Sequence, residues 1–86
     1  MKLKDAMLRV QYDPNWQIFA KSTSPNAEAK YAQASERTYI LKDQGYRYIT
    51  NGEQIGDYIA NYCEDVPDEY RGDFAEEAVE RFLETL

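Results

Sequence analysis

From residue 51 to the end of the chain, apolar side chains recur every three or four positions. Ile55, Ile59, Tyr62 and Val66 form one series, and Phe74, Ala75, Ala78, Val79, Phe82, Leu83 and Leu86 form the other. A run with that period is a helix with one apolar face, and the face must be covered if the chain is to fold in water. Asn51 supplies an N-cap with Gln54 as its capping-box partner, and Pro67 starts a new segment. Gly72 reads as the break before the last helix, with Asp73 as cap and Glu76 as its box partner. Two or three C-terminal helices therefore need a sheet to anchor on.

The first half supplies the strands. Asp13, Pro14 and Asn15 form a turn signal, and the alternation of Trp16, Ile18 and Ala20 after it predicts a strand. The segment before the turn fits two periods. Leu8, Val10 and Tyr12 alternate as in a strand, whereas Leu3, Met7 and Val10 fit a helical stripe; the reading adopted is a hairpin, preceded at most by a helical turn. Ser24 followed by Pro25 is helix-start chemistry and predicts a helix through NAEAKYAQASE, residues 26–36. RTYILKDQGYRYIT then reads as a second hairpin, with Gly45 taking the left-handed conformation in its loop. The expected fold is a single α+β domain over residues 1–86. It has an antiparallel sheet of about four strands in two hairpins, a helix between them, and two or three C-terminal helices mostly on one face.

Several chemistries are missing. There is no histidine, so Ser-His, Cys-His and His-metal sites are excluded, and there is no glycine-rich phosphate loop. No catalytic, cofactor-binding or metal-ligating residue is assigned, and the chain is expected not to be an enzyme. Cys63 is the one cysteine; beside Glu64 and Asp65 its thiolate is disfavoured, and it reads as a small apolar helix residue. Its solitude rules out an internal disulfide. Apolar runs of a few residues fall far short of the ~20 that cross a bilayer, and Lys4, Asp5 and Arg9 break the N-terminal segment. The expectation is a cytoplasmic protein with no membrane partner.

Charge divides along the chain. Residues 1–50 hold eight Lys or Arg and five Asp or Glu, a balance of +3, whereas residues 51–86 hold two and eleven, a balance of −9. Glu69, Asp73, Glu77 and Glu84 lie near one stripe of the last segment, with Glu76 and Glu80 beside them; Glu53 and Asp57 mark the preceding helix. Part of this has a local cause, because carboxylates favour a helix's first turn and Glu77 can pair with Arg81 four residues on. Glu76 with Glu80, Glu80 with Glu84, and Glu53 with Asp57 are instead like charges one turn apart, each costing about 0.2 to 0.5 kcal/mol. Carboxylates so spaced are about 6 Å apart along a helix, too sparse on one rail to imitate a phosphate strand. Two rails on helices packed about 8 to 10 Å apart could together present a nucleic-acid-like field to a basic cleft. Nucleic acid itself is not an expected direct ligand, since phosphate binding draws on clustered Lys and Arg.

A second candidate surface is aromatic. In the expected hairpin, Lys42 lies opposite Tyr46 and Ile40 opposite Tyr48, with Tyr39, Leu41 and Ile49 on the other face. Both faces are apolar, so one of them needs a cover, and Tyr39, Leu41, Tyr46 and Tyr48 are the candidate partner or dimer face.

In size and charge the chain resembles the small acidic inhibitors that phages and mobile elements direct at host defence enzymes, including anti-CRISPR and anti-restriction proteins. The resemblance implies a binding protein acting in the host cytoplasm. It would occlude a basic, nucleic-acid-binding site on a larger protein through Glu53, Asp57, Glu69, Asp73, Glu76, Glu77, Glu80 and Glu84. One alternative is a homodimeric structural or regulatory accessory protein joined through the aromatic face. The other is a small enzyme using carboxylates and a divalent ion.

Overall fold

The computed structural model describes residues 1–33 and 37–86. Four α-helices and a three-stranded antiparallel sheet follow in the order α1 (Leu3–Arg9), β1 (Trp16–Ala20), β2 (Ala29–Gln33), α2 (Arg37–Asp43), β3 (Arg47–Asn51), α3 (Gly52–Tyr62) and α4 (Arg71–Glu84). A 3-10 turn, Asp68–Tyr70, leads into α4. The fold class is α+β as the sequence predicts, but among the described residues neither expected hairpin forms and the strands number three.

β1 is the central strand. It pairs with β2 from Trp16↔Gln33 to Ala20↔Ala29 and with β3 from Gln17↔Asn51 to Ala20↔Arg47. The second ladder slips between Ile18, opposite Thr50, and Phe19, opposite Tyr48, so β3 carries one extra residue, Ile49. Thr50 is fully buried at this bulge, and its hydroxyl donates to Gln54 Oε1 at 2.8 Å.

Three segments depart from expectation, each for a physical reason. The N-terminal segment is helical, because Leu3, Ala6, Met7 and Val10 form one buried stripe at i, i+3, i+4 and i+7. The predicted helix at 26–36 is replaced by β2, with its last three residues outside the described ones. Ser24 here closes a turn, its carbonyl accepting from Ala27 N–H at 3.0 Å and its hydroxyl from Asn26 N–H at 3.4 Å. Helix caps and Ser turns use the same side-chain chemistry. Pairing with β1 then overrides the helical preference of Ala29, Lys30, Ala32 and Gln33.

The first arm of the expected hairpin is the helix α2. β2 and β3 flank β1 on opposite sides and run in the same direction, so the chain must cross the sheet between them, and a short hairpin loop cannot do that. Gly45 does take a positive φ of 91°, but as a helix stop. Tyr46 N–H returns to Leu41 carbonyl at 2.9 Å and Gly45 N–H to Lys42 carbonyl at 3.0 Å, the Schellman pattern, and Leu41 and Tyr46 share one small core. The cross-strand pairs Lys42 with Tyr46 and Ile40 with Tyr48 therefore do not exist.

The alternation of β1 divides the interior. Ile18 and Ala20 face a large core with α1, α3 and α4, while Phe19 faces a small one with Ala32, Leu41 and Tyr46, under α2. α3 sits tightly against the α1–β1 connection. Tyr12 has a φ of 71° and its N–H donates to Gly52 carbonyl at 2.8 Å. A Cβ on Gly52 would collide with the carbonyl oxygens of Val10 and Asp13, and one on Gly56 would lie 2.6 Å from the Tyr12 ring.

Candidate protein-binding surface

α4 begins at Arg71. Gly72 is inside its first turn rather than before it, and its N-cap, Tyr70, makes no side-chain capping bond, so Asp73 is a helical residue and not the cap. Ala75, Ala78, Val79, Phe82 and Leu83 are buried against α1 and α3. Edge-on contact of Tyr58 with Phe82, ring centroids 5.2 Å apart, locks α4 to α3. At 3.6 residues per turn, Asp73, Glu76, Glu77, Glu80 and Glu84 fall within an arc of about 100° on the opposite side. All five are exposed, as is Glu69 in the 3-10 turn.

The chain's own cations meet only some of them. Lys4 Nζ lies 3.8 Å from Glu80 Oε1 and Arg81 Nη1 lies 3.7 Å from Glu84 Oε2. Arg81 thus turns to Glu84 instead of forming the expected pair with Glu77. Glu77 and Arg81 both act on the half-buried Tyr62 phenol, which is held above its ordinary value first by burial, then by the Glu77 carboxylate, against the lowering effect of Arg81. Among the described residues, Asp73 and Glu76 have no cation within ion-pair distance. Uncompensated charge therefore gathers in the first half of α4, where the helix dipole favours it.

The two acidic rails do not join. Tyr58 and Tyr62 mark the side of α3 that meets α4, and helical geometry turns Asp57 and Glu53 about 100 to 180° away from them. Both are exposed, but on a different surface. Asn51 caps α3 as predicted, its Oδ1 accepting from Gln54 N–H at 2.8 Å. Val66 lies beyond the helix end at Tyr62 and still packs on the large core.

Sequence reasoning misses two aromatic side chains beside the carboxylates. Tyr70 is 52% exposed and Phe74, one turn on, 39%, although periodicity groups Phe74 with the buried stripe. The helical wheel carries the missing signal, since Phe74 lies about 80° from Phe82 and only about 20° from the exposed Arg81.

The aromatic candidates divide. Leu41 and Tyr46 are buried in the small core, whereas Tyr39 is 75% and Tyr48 45% exposed, with Ile40 also exposed. Lys21 and Lys30 approach the Tyr46 ring, their Nζ atoms 5.2 and 5.3 Å from its centroid. The Tyr46 phenol is raised above its ordinary value by burial and then by Glu28, which also pairs with Lys21 at 3.9 Å. Lys30 and Ile40 line one groove, and Arg47 and Tyr48 another.

Among the described residues, no group of three or more Cys, Asp or Glu is arranged to hold a metal ion, and no helix is long and apolar enough to cross a membrane. The chain matches no protein-family model, no curated protein and no solved structure.

Proposed function

We propose that this chain is a small protein-binding module that sets the outer face of α4 against a basic surface of a larger protein, occluding a nucleic-acid-binding site there. The supporting observation is the arc of five exposed carboxylates opposite the buried stripe of α4, of which Asp73 and Glu76 have no compensating cation among the described residues. Tyr70 and Phe74 add apolar contact at its border, and charge-lined surfaces with aromatic anchors favour fast and specific association. The contact set is Glu69, Asp73, Glu76, Glu77, Glu80 and Glu84. Glu53 and Asp57 would serve a partner only if it wrapped round α3.

The test is affinity capture at low salt with wild type and the triple variant Asp73→Lys, Glu76→Lys, Glu77→Lys. A nucleic-acid-binding protein should be retained by wild type, released by added duplex DNA and lost with the triple variant. Equal retention by both proteins would discard the reading.

The second reading is a homodimeric accessory protein, favoured by the exposure of Tyr39 and Tyr48. A stable dimer in light scattering, broken by Tyr39→Ser or Tyr48→Ser, would support it.

A further inference from the structure

Two exposed surfaces of this chain match each other in two respects. On the α2 side, Tyr48 meets Phe19 edge-on with centroids 5.8 Å apart, and Phe19 belongs to the small core that Leu41 of α2 also fills. Tyr39, Ile40 and Tyr48 thus stand exposed around one small core. Two cations near them are exposed too: Lys42 lies one turn after Tyr39, and Lys30, opposite Phe19 in the ladder, shares a groove with Ile40. Lys30 and Lys42 make no ion pair among the described residues. On the α4 side the apolar pair is Tyr70 and Phe74, and the charges beside it are Asp73, Glu76 and Glu77.

We propose that the exposed α2–β3 face docks the start of α4 from a second copy of this chain, aromatic against aromatic and lysine against carboxylate, so that copies associate head to tail. Among the described residues, Lys30 and Lys42 on one surface and Asp73 and Glu76 on the other have no ion-pair partner in their own chain. Large exposed apolar groups rimmed by charge mark contact sites, and opposite potentials select the partner. A symmetric pairing of two α2 faces would instead set Lys30 and Lys42 against their own copies, a like-charge contact. Likewise, two α4 faces would oppose carboxylates. Sign thus favours a heterologous contact over an isologous one, and such a contact leaves one free face at each end for further copies. Each copy carries a formal charge of −6, so association should be weak, and strongest near about 0.1 M salt, where distant repulsion is screened within roughly 10 Å while touching pairs persist.

This inference shares α4 with the proposed function, and the two are separable by acting on the α2 side alone. Sedimentation at about 0.1 M salt is run on wild type, on Lys30→Glu with Lys42→Glu, and on Asp73→Lys with Glu76→Lys. Wild type should gain mean mass with concentration, while each double variant alone stays monomeric, because its two docking faces then carry the same sign. In an equimolar mixture, unlike copies can meet in two ways. The unaltered α2 face of one variant can take the unaltered α4 of the other, and the lysines introduced into α4 can meet the glutamates introduced beside α2. The mixture should therefore regain the rise in mass that each variant alone has lost. A monomeric wild type at every concentration, a mixture that stays monomeric, or assembly abolished by Tyr39→Ser but untouched by both charge reversals would overturn the inference. The Lys30→Glu, Lys42→Glu variant keeps α4 intact, so its capture of a basic partner reports on the proposed function independently.

Discussion

The two faces of the sheet are covered in unlike ways. Among the described residues, fifteen buried side chains from α1, α3, α4, the strands and the loop after α3 form a continuous core on one; on the other, the cluster is Phe19, Ala32, Leu41 and Tyr46. The first face is stabilised by long apolar stripes, which leave the outer sides of their helices free to carry charge. The second is spanned by a seven-residue helix with one buried described side chain, Leu41, and Tyr39 and Tyr48 stay exposed around it. Packing and surface character thus follow from the same unequal division of apolar residues between the faces.

Core truncations test the inequality most directly. Ile55→Ala, at a fully buried position, should cost about 4 kcal/mol in denaturant unfolding, since the tight large core cannot collapse around the gap. Gly52→Ala should cost about 3 kcal/mol, because the added methyl meets backbone carbonyls that cannot swing aside. Leu41→Ala should cost only about 2 kcal/mol, at the low end for such truncations, because α2 can settle onto the sheet. Equal losses for Ile55→Ala and Leu41→Ala would show that the two cores act as one unit.

A smaller effect separates the faces by pH. Tyr46 and Tyr62 both have phenols raised above the ordinary value of 10.0, one on each face. A proton held more tightly in the folded state stabilises fully below the unfolded value, and the contribution is lost as pH rises through 10 towards the folded value. Stability should therefore fall only above about pH 10, and Tyr46→Phe or Tyr62→Phe should each flatten part of that fall. Chemical denaturation at successive pH values measures it, and an unchanged slope in both variants would remove the tyrosines as its cause.

The parts of the fold that sequence reveals are those where local chemistry and tertiary demand agree. β1 forms where Trp16, Ile18 and Ala20 alternate, although Phe19 between them is buried on the other face, α3 carries its cap and stripe, and α4 has an apolar face wide enough to read despite the misplaced start. α1, β2 and α2 are obscured because their signals serve two structures. Val10 fits either period, Ser24 and Pro25 suit a turn as well as a helix, and Gly45 ends a helix with the same backbone that closes a hairpin. For the candidate surface, the exposure of the α4 carboxylates follows from periodicity alone. The divergence of Glu53 and Asp57 does not, because it depends on which side of α3 receives α4, a choice fixed by Tyr58 and Phe82.

The crossing at α2 also sets how the molecule breathes. β1 is hydrogen-bonded on both edges, while α2 gives the small core one buried described side chain, Leu41, so α2 should lift while all three strands stay zipped. Amide protons of residues 39–44 should then trade with deuterium well before those of Ile18 and Phe19. Each such excursion wets Phe19 and Tyr46, making the thin side of the sheet the entry point for solvent and for proteases.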